Sequence, residues 1–593
     1  MITVQLNEPD FEYDIHSLVK AFYPQHDVLV KAMPREEFPE SVFHLVVNYD
    51  RKNHMIDFKF YEREQQENDN VTKEEIVAQD HDHAAKEENE NAEQISEEAF
   101  SQNQKNGAAE EKMTLGGSVL VDFSDRKKTK NELKQQLYYL LTLYAGKTLP
   151  WGTLTGIRPT KIPMELLEEG KSEDEIRSYM KETYFASDEK IELSLAVAKR
   201  ELELLSRIDY ENGYSLYVGI PFCPSTCLYC SFTSYPLAKW ANRMDEYLDA
   251  LEKEIAFTAE ACKHKVLNSV YIGGGTPTTL SAEQMDRLLT MIGSYFEIAD
   301  EQGRMIYADE YMNEVDAADE AQNSMDEAKF ENGSTDVEGN AAGSVCENGK
   351  VRKKTQLLEF TVEAGRPDSI TREKLEVIHK HNISRISINP QTMKEETLRL
   401  IGRQHTVQQT IDSFKLAREA GFDNINMDLI VGLPEETIED VRETMRQLEE
   451  LDPDNITVHS LAIKRAARLR MQKEQYENLH IENTAQTIDL TAECCHEMGL
   501  EPYYLYRQKN MAGNFENVGY AKPGKAGVYN ILIMEEKQTI MALGAGATTK
   551  VVFEDGKRIE RVGNVKDITN YLDRVDEMVE RKRELLKNCG QLG

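Results

Sequence analysis

Three cysteines, Cys223, Cys227 and Cys230, carry the clearest chemical pattern in this sequence, Cys-x-x-x-Cys-x-x-Cys. Chance is a poor explanation for the triplet, because only eight cysteines are spread over 593 residues. A structural zinc site usually takes four Cys or His ligands, and no second cysteine pair follows here. Three thiolates can instead hold three irons of a [4Fe–4S] cluster and leave the fourth iron open to a small molecule. The pattern therefore favours an open cluster, with zinc as the alternative.

The other five cysteines show no such spacing. Cys262, Cys494 and Cys495 fall in predicted helices, whereas Cys346 lies in an acidic segment and Cys589 lies near the chain end. We interpret them as incidental thiols. Eight cysteines in so long a chain do not form a disulfide scaffold, which indicates a reducing compartment, the cytoplasm.

Composition argues against two further classes of protein. The 105 acidic and 70 basic residues give a formal net charge of −35, which is unsuited to a broad nucleic-acid-binding surface. No apolar run approaches the roughly 18–20 residues that a membrane-spanning helix requires, and the first residues do not resemble a signal peptide. We therefore expect a cytoplasmic protein without a membrane span and without a nucleic-acid partner.

Two segments hold much of the acidic excess. Residues 64–111 contain 15 acidic and 3 basic side chains, and residues 309–348 contain 12 acidic and 1 basic. Low hydrophobicity with high net charge cannot offset the entropy of ordering, so both are predicted to be disordered inserts. Solvated loop expansion is the simpler interpretation of each, and a recruiting or regulatory role is the alternative.

Strand and helix patterns alternate from about residue 211. The candidate strands cover residues 215–220, 269–272, 358–363, 385–389, 424–430 and 455–459. Repeated strand–helix–strand units imply parallel strands and right-handed crossovers, and six units are short of the eight in a closed barrel. The predicted fold class is α/β, a partial (β/α)6 barrel with its chemistry at the carboxyl ends of the strands.

The predicted barrel, residues 211–470, is flanked by other regions. Residues 1–150 read as an α+β domain, with the first insert at a hairpin tip, and residues 151–210 as a helical linker region in which Ser172 and Glu175 form a capping box. Residues 471–593 are predicted to be mostly helical, with a short strand pair near 528–534 and 539–543.

The sequence around the triplet resembles one family. The cysteine spacing, with Tyr229 before the last cysteine, resembles the radical S-adenosylmethionine (SAM) superfamily. Residues 217–223 are similar to the Tyr-x-His-Ile-Pro-Phe-Cys opening of oxygen-independent coproporphyrinogen III oxidases, also called dehydrogenases. Later family motifs follow in order at 273–278, 401–405, 428–434 and 543–547. The resemblance covers about 211–550, and the long N-terminal extension resembles the HemZ-type branch.

The resemblance implies a radical SAM barrel with a [4Fe–4S] cluster on the three cysteines and one or two molecules of S-adenosylmethionine. By position, the implied cofactor contacts are Tyr217, Tyr229, Gly274, Gly275, Thr276, Glu363, Gln391, Arg403 and Asp428. The last three would serve the second cofactor molecule. Structural roles stay open for these residues: a tight turn for the glycines, a core position for Tyr229 and strand-end or surface positions for the charged groups.

The implied activity is that of a radical SAM oxidoreductase in haem and porphyrin biosynthesis. A reduced flavodoxin- or ferredoxin-type donor would supply an electron, and the 5′-deoxyadenosyl radical would take hydrogen from a propionate of coproporphyrinogen III. Loss of carbon dioxide would leave a vinyl group, and two such reactions would give protoporphyrinogen IX. The implied partners are therefore this donor and a porphyrinogen or haem-like small molecule.

Two departures from the family pattern bear on the substrate. Phe232 stands where the oxidases have a fourth cysteine, and Gly219 replaces the family histidine. A haem-binding chaperone on the same barrel is the alternative function. Such chaperones typically show His-Asn-x-x-Tyr-Trp in the C-terminal part, whereas residues 515–521 contain neither His nor Trp. A haem ligand elsewhere, His405 or His459, stays open.

The C-terminal region holds an aromatic segment, residues 501–507, which resembles the substrate-covering part of the family. Tyrosines there can pack on a flat macrocycle, and Arg507 could meet a propionate. Ordinary core packing is the alternative for this segment.

Overall fold

The computed structural model describes residues 1–39, 41–63, 111–308, 356–462, 464, 467–471, 479–508, 515–553, 556, 558–588 and 590. Both predicted acidic inserts, apart from Glu111, lie outside the described residues, as do Cys346 and Cys589. The chain divides into two compact units, residues 1–147 and 148–593.

The first unit is a five-stranded sheet with two helices. Its elements are β1 (Ile2–Leu6), α1 (Glu12–Phe22), β2 (Val28–Lys31), β3 (His44–Asp50), β4 (Met55–Arg63), β5 (Glu111–Leu120) and α2 (Arg126–Ala145). The strand order is β2-β1-β3-β4-β5, with β3, β4 and β5 antiparallel. Because Arg63 pairs with Glu111, the first insert leaves and re-enters at the end of one hairpin, as predicted.

The second unit begins with three helices, α3 (Lys161–Glu168), α4 (Glu173–Tyr184) and α5 (Asp188–Ser206). The predicted capping box is confirmed, since the Ser172 side chain accepts from the Glu175 amide and Glu175 accepts from the Ser172 amide. The helical pattern is interrupted at Phe185, which adopts a left-handed conformation with φ 56° and separates α4 from α5.

The six predicted barrel strands are present, each parallel to the next in chain order. They are β6 (Gly213–Ile220), β9 (Val266–Gly274), β10 (Glu359–Gly365), β11 (Arg385–Gln391), β12 (Ile425–Val431) and β13 (Asn455–Ser460). Two short strands, β7 (Phe222–Cys223) and β8 (Tyr235–Pro236), pair beside them. The interleaved helices are α6 (Met244–Ala261), α7 (Ala282–Tyr295), α8 (Arg372–Lys380), α9 (Glu395–Leu400), α10 (Val407–Glu419) and α11 (Ile438–Leu451).

Burial explains why these segments form a barrel. Strand side chains such as Leu216, Val218, Val270 and Ile272 are fully buried and belong to one continuous apolar core with the covering helices. Removing such side chains from water is the main driving force that holds helices onto the sheet. Alternate residues point to the barrel interior, and many of them are polar, which leaves room for a ligand.

The C-terminal region extends the same sheet at both edges. Its elements are α12 (Arg468–Met471), α13 (Ala485–Glu497), β14 (Glu501–Tyr506), β15 (Asn517–Ala521), α14 (Val528–Glu535), β16 (Thr539–Leu543), β17 (Thr548–Phe553), β18 (Arg558–Gly563), α15 (Ile568–Asp573) and α16 (Val575–Asn588). Strand β16 pairs in parallel with β6, while β15 pairs antiparallel with β13. This region therefore closes around the barrel interior from both sides.

The strand predicted near 528–534 is wrong, because these residues form helix α14. The amides of Val528 and Tyr529 donate to the carboxylate of Glu359, at 2.6 and 3.4 Å. A carboxylate at a helix N-terminus satisfies amides that lack a partner within the helix and interacts favourably with the helix dipole. Glu359 comes from a strand far away in the chain, so local propensity for a strand is overridden. The predicted strand at 539–543 is confirmed.

Among the described residues, no helix combines the length and apolar character needed to cross a lipid bilayer.

Candidate functional site

A cavity runs through the barrel interior. Its volume of about 740 Å³ is within the range of small-molecule sites. Its upper wall is the cysteine loop that follows β6, and its lower wall includes Arg385, the first residue of β11, and Tyr529 of α14. All twelve residues predicted to bind the cluster or cofactor line it: Tyr217, Cys223, Cys227, Tyr229, Cys230, Gly274, Gly275, Thr276, Glu363, Gln391, Arg403 and Asp428.

The three cysteines face this cavity in a shielded setting. Cys223 and Cys227 are buried, and Cys230 is half-buried. Burial raises the pKa of the Cys223 thiol to about 11 and also raises the pKa of Cys230. Thr276 donates from its hydroxyl to the Cys223 sulfur at 3.6 Å, which partly opposes that shift. Cluster binding must therefore displace thiol protons, as metal binding to thiolates generally does.

The donor set fits a cluster better than a single ion. Within the described ranges, no three His, Cys, Asp or Glu side chains converge closely enough to hold one metal ion. The three cysteines nevertheless share one cavity, and the proximity of Cys227 and Cys230 raises the pKa of the Cys223 thiol further. In a [4Fe–4S] cluster each thiolate binds a different iron, so the ligands need not converge on one point. The sulfurs of Cys223, Cys227 and Cys230 would hold the cluster.

The cysteine loop is anchored by the segment after strand β10 and by the segment after helix α9. Arg366, after β10, donates through Nη1 to the Ser225 carbonyl at 3.0 Å and to its hydroxyl at 2.7 Å. Its Nε and Nη2 bind the Asp368 carboxylate in two-pronged fashion. The Ser225 hydroxyl in turn donates to the carbonyl of Gly402 at 2.9 Å, and the amide of Leu228 donates to Ile401. These bonds fix the loop before any cofactor binds.

The backbone at the end of β9 requires glycine at positions 274 and 275. Gly274 has φ 112°, a region that favours glycine, and a Cβ on Gly275 would lie 2.6 Å from the carbonyl oxygen of Phe222. The tight-turn role considered from sequence is therefore real. It coexists with a place on the cavity wall, where backbone without side chains lets a ligand approach closely.

Glu363 is the carboxylate with the most altered ionisation on the cavity wall. Burial raises its pKa to about 7, although a hydrogen bond from the Tyr271 hydroxyl, at 2.5 Å, works in the opposite direction. Tyr271 also stacks between Tyr217, at 6.3 Å, and Tyr529, at 4.6 Å between ring centroids. A neighbouring cation would favour the charged form of Glu363.

Of the three residues assigned to a second cofactor molecule, Gln391 and Asp428 lie on the neighbouring strands β11 and β12, and Arg403 lies in the loop between α9 and α10. Gln391 ends β11 with φ 70°, an uncommon conformation for a residue with a side chain and one often found at functional sites. Asp428 accepts from the Asn426 amide at 2.7 Å and lies 3.9 Å from His459. Arg403 donates to the Asn389 carbonyl, and although burial opposes its charge, Tyr229 and Cys227 raise its pKa.

The two departures from the family pattern have structural settings. Phe232 lines the cavity yet is 71% exposed, and the Lys464 ammonium lies 5.6 Å from its ring centre. Gly219 packs between strands, since a Cβ there would lie 3.3 Å from the Leu543 carbonyl oxygen. A larger side chain at this position would require β16 to shift slightly.

Of the remaining residues proposed from the sequence as ligand contacts, one lines the cavity and two do not. His459 lines the cavity, with its Nδ1 3.3 Å from the Tyr506 hydroxyl, whereas His405 is buried and is not part of the described cavity wall. Arg507 does not line the cavity: it donates to the Leu154 carbonyl and lies 5.7 Å from the Trp151 ring. A propionate contact by Arg507 is therefore wrong. Burial removes this guanidinium from the ligand space.

Sequence reasoning missed three residues of the site. Tyr271 precedes Gly273 by two residues on one strand, so the two-residue strand period would have placed it on the same face. Arg366 follows β10 at the carboxyl edge, where functional residues gather. Arg385 begins a strand, and no sequence signal marks it.

Comparison with known proteins agrees with this geometry. A sequence-family profile described as the radical SAM superfamily matches residues 341–448, which makes the chain a radical SAM protein. The oxygen-independent coproporphyrinogen-III oxidase-like protein HemZ of Bacillus subtilis (strain 168) is 37% identical over 78% of this chain and 82% of that protein. The chain therefore belongs to the oxygen-independent coproporphyrinogen-III oxidase-like family.

Two further similarities are more distant. The haem chaperone HemW of the same Bacillus subtilis strain is 28% identical over 61% of this chain and 76% of that protein. The solved structure of coproporphyrinogen III oxidase (HemN) from Escherichia coli, described as a radical SAM enzyme, covers 64% of this chain and 72% of that chain, with 22% identity and a TM-score of 0.43. The superfamily uses a [4Fe–4S] cluster and S-adenosylmethionine, and these are the cofactors of this chain. The names of the HemZ and HemW relatives refer to coproporphyrinogen III oxidation and to haem, respectively.

Proposed function

We propose that this protein is a cytoplasmic radical SAM oxidoreductase that converts propionates of coproporphyrinogen III to vinyl groups with loss of carbon dioxide. One observation carries the proposal: the cysteine loop and a polar, tyrosine-rich compartment share one cavity of about 740 Å³. The relation to the oxidase-like HemZ protein supports the substrate class. When bound, the cluster and S-adenosylmethionine supply hydrogen-atom abstraction from an unactivated carbon.

The chain's own residues would bind, orient and exclude water. Gly274, Gly275 and Thr276 present backbone at the cavity wall, and Glu363 supplies a carboxylate for a cationic group of the cofactor. Tyr217 and Tyr229 would flank the cofactor, while Gln391, Arg403 and Asp428 would serve a second molecule of it. A reduced flavodoxin- or ferredoxin-type protein is the proposed electron donor.

The proposal is tested with anaerobically purified protein whose cluster has been reconstituted. The protein is incubated with S-adenosylmethionine, reductant, coproporphyrinogen III and a cytoplasmic extract as electron acceptor. We expect substrate-dependent formation of both protoporphyrin and 5′-deoxyadenosine. Formation of 5′-deoxyadenosine without decarboxylation would contradict the assignment of the substrate but would support the cleavage of S-adenosylmethionine. If neither product forms and haem binds stoichiometrically, the chaperone function replaces this one.

Glu363 predicts a pH dependence of cofactor binding. Its pKa of about 7 means that the carboxyl is largely protonated at pH 6, and a cationic cofactor group favours the charged form. Binding at pH 6 is therefore expected to release a proton, and affinity is expected to rise up to about tenfold per pH unit towards pH 7 and then level off. Calorimetry in two buffers of different ionisation enthalpy measures that proton directly.

Two variants give this prediction its controls. Glu363→Gln should abolish the pH dependence. Tyr271→Phe removes the hydrogen bond that lowers the Glu363 pKa, so it should move the levelling-off to higher pH. Proton release that is unchanged in Glu363→Gln would show that another group titrates.

A further inference from the structure

The floor of the cavity contains an arginine, Arg385, that has no role in binding the cluster. Arg385 is the first residue of β11, so it lies at the opposite strand end from Gln391 and the cysteine loop. Its side chain lines the cavity, yet the residue is only 2% exposed. An arginine this deeply buried loses its hydration and therefore needs partners inside the protein or on a ligand.

Two of the guanidinium donors lack such partners. Nε and Nη2 of Arg385 are buried and have no hydrogen-bond acceptor among the described residues. Buried polar groups are nearly always hydrogen-bonded, and an unpaired buried charge is costly. Arg385 thus differs from Arg366, another buried arginine on the cavity wall, whose donors are taken up by Asp368 and Ser225.

Glu359, an acidic group whose charge acts on Arg385, is already engaged elsewhere. The Glu359 carboxylate accepts from the amides of Val528 and Tyr529 and from the Thr361 hydroxyl. It contributes negative charge near Arg385 but holds α14 in place rather than bonding the guanidinium. The neighbouring Tyr503 hydroxyl accepts from the Asn530 amide at 3.0 Å. The Glu359 carboxylate and the Tyr503 hydroxyl therefore accept hydrogen bonds from other groups, and the Arg385 guanidinium faces the cavity.

We propose that Arg385 is a carboxylate-binding residue at the floor of the cavity and takes a propionate of the tetrapyrrole substrate. A guanidinium presents paired, planar donors that match a carboxylate. Identifying that carboxylate as a substrate propionate rests on the proposed function, whereas the presence of a carboxylate site rests on Arg385 alone. The carboxylate of S-adenosylmethionine is the other source of the same chemistry. We assign the substrate because Arg385 lies at the strand end away from the cluster cysteines.

The test uses reconstituted holoprotein and two stable probes, coproporphyrin III and its tetramethyl ester, with binding followed by fluorescence. Wild-type protein should bind the acid more tightly than the ester. Arg385→Gln should weaken binding of the acid by about tenfold to a hundredfold and leave the ester unchanged, since one buried charge-assisted pair is lost. Arg385→Lys keeps the positive charge but not the paired, planar donors of the guanidinium. It should cause an intermediate loss of affinity for coproporphyrin III.

Lys550→Gln is the matched control. Lys550 is a cation on the same cavity wall, but its ammonium is paired with Glu536 at 3.0 Å. It should therefore change the affinity for either probe by less than about threefold. A second readout is independent of porphyrins: sodium propionate, compared with sodium chloride at equal ionic strength, should raise the melting temperature of wild-type protein but not of Arg385→Gln.

The outcomes separate this inference from the proposed function. If propionate stabilises only wild-type protein and coproporphyrin III does not bind, the carboxylate site stands and the proposed substrate fails. If coproporphyrin III binds wild-type protein and Arg385→Gln equally, the inference is overturned while the proposed function survives. If Arg385→Gln weakens S-adenosylmethionine alone, the assignment to substrate is overturned.

Discussion

Replacing Cys227 with alanine is expected to abolish cluster binding and, with it, all cleavage of S-adenosylmethionine. The chain offers three cysteines on one cavity wall and, among the described residues, no group of three alternative metal ligands. Three cysteines already leave one iron without a protein ligand, so a two-cysteine site cannot hold the cluster firmly. Iron and sulfide content after reconstitution, the visible absorbance of the cluster and 5′-deoxyadenosine formation measure the loss.

Cys262→Ala is the matched control for this experiment. Cys262 is 3% exposed and packs in the apolar core outside the cavity, so its replacement removes a thiol without touching the site. It should retain full iron content with a small loss of stability. Equal iron loss in Cys262→Ala and Cys227→Ala would contradict the assignment of the cluster to the triplet.

Replacing Lys582 with methionine is expected to lower the free energy of unfolding by about 3–5 kcal/mol, because it leaves a buried carboxylate without its cation. Lys582 and Glu254 are both fully buried and form an ion pair between α16 and α6. Glu254 also accepts from the amide of Gly544 and from the hydroxyl of Tyr571, at 2.8 and 2.5 Å. Denaturant unfolding at pH 7 measures the change.

The hydrogen-bond network around Glu254 also positions a wall of the cavity. Loss of the Lys582–Glu254 ion pair should therefore lower activity as well as stability. The Gly544 amide bonded to Glu254 lies next to Ala545, which lines the cavity. The double variant Lys582→Met/Glu254→Gln should recover part of the stability, since no unpaired charge remains. The Lys253→Met control breaks an exposed pair with Asp576 between the same two helices and should cost less than about 1 kcal/mol. An equal loss in Lys582→Met and Lys253→Met would contradict the burial argument.

Much of the barrel could be predicted because its signals are local. Each strand–helix unit has its own periodicity, and caps such as Ser172 with Glu175 bond within four residues of the chain. The cysteine triplet is equally local, so its chemistry could be inferred without coordinates. The strand expected at 528–534 failed for the opposite reason: the Glu359 carboxylate that caps this helix comes from β10, and no local pattern encodes that contact.

The sequence by itself was enough to predict three cysteines as cluster ligands, six parallel strands in chain order and the barrel edge at which the chemistry is expected. Only the tertiary structure decided which polar groups share the cavity. It placed Arg507 against Trp151 and away from the cavity, and it left Nε and Nη2 of Arg385, at the cavity floor, without an acceptor in the part of the chain that the structure describes. It also joined Glu254 to Lys582 across 328 residues. These pairings depend on distance and on exclusion of water, and both arise only once remote segments pack together.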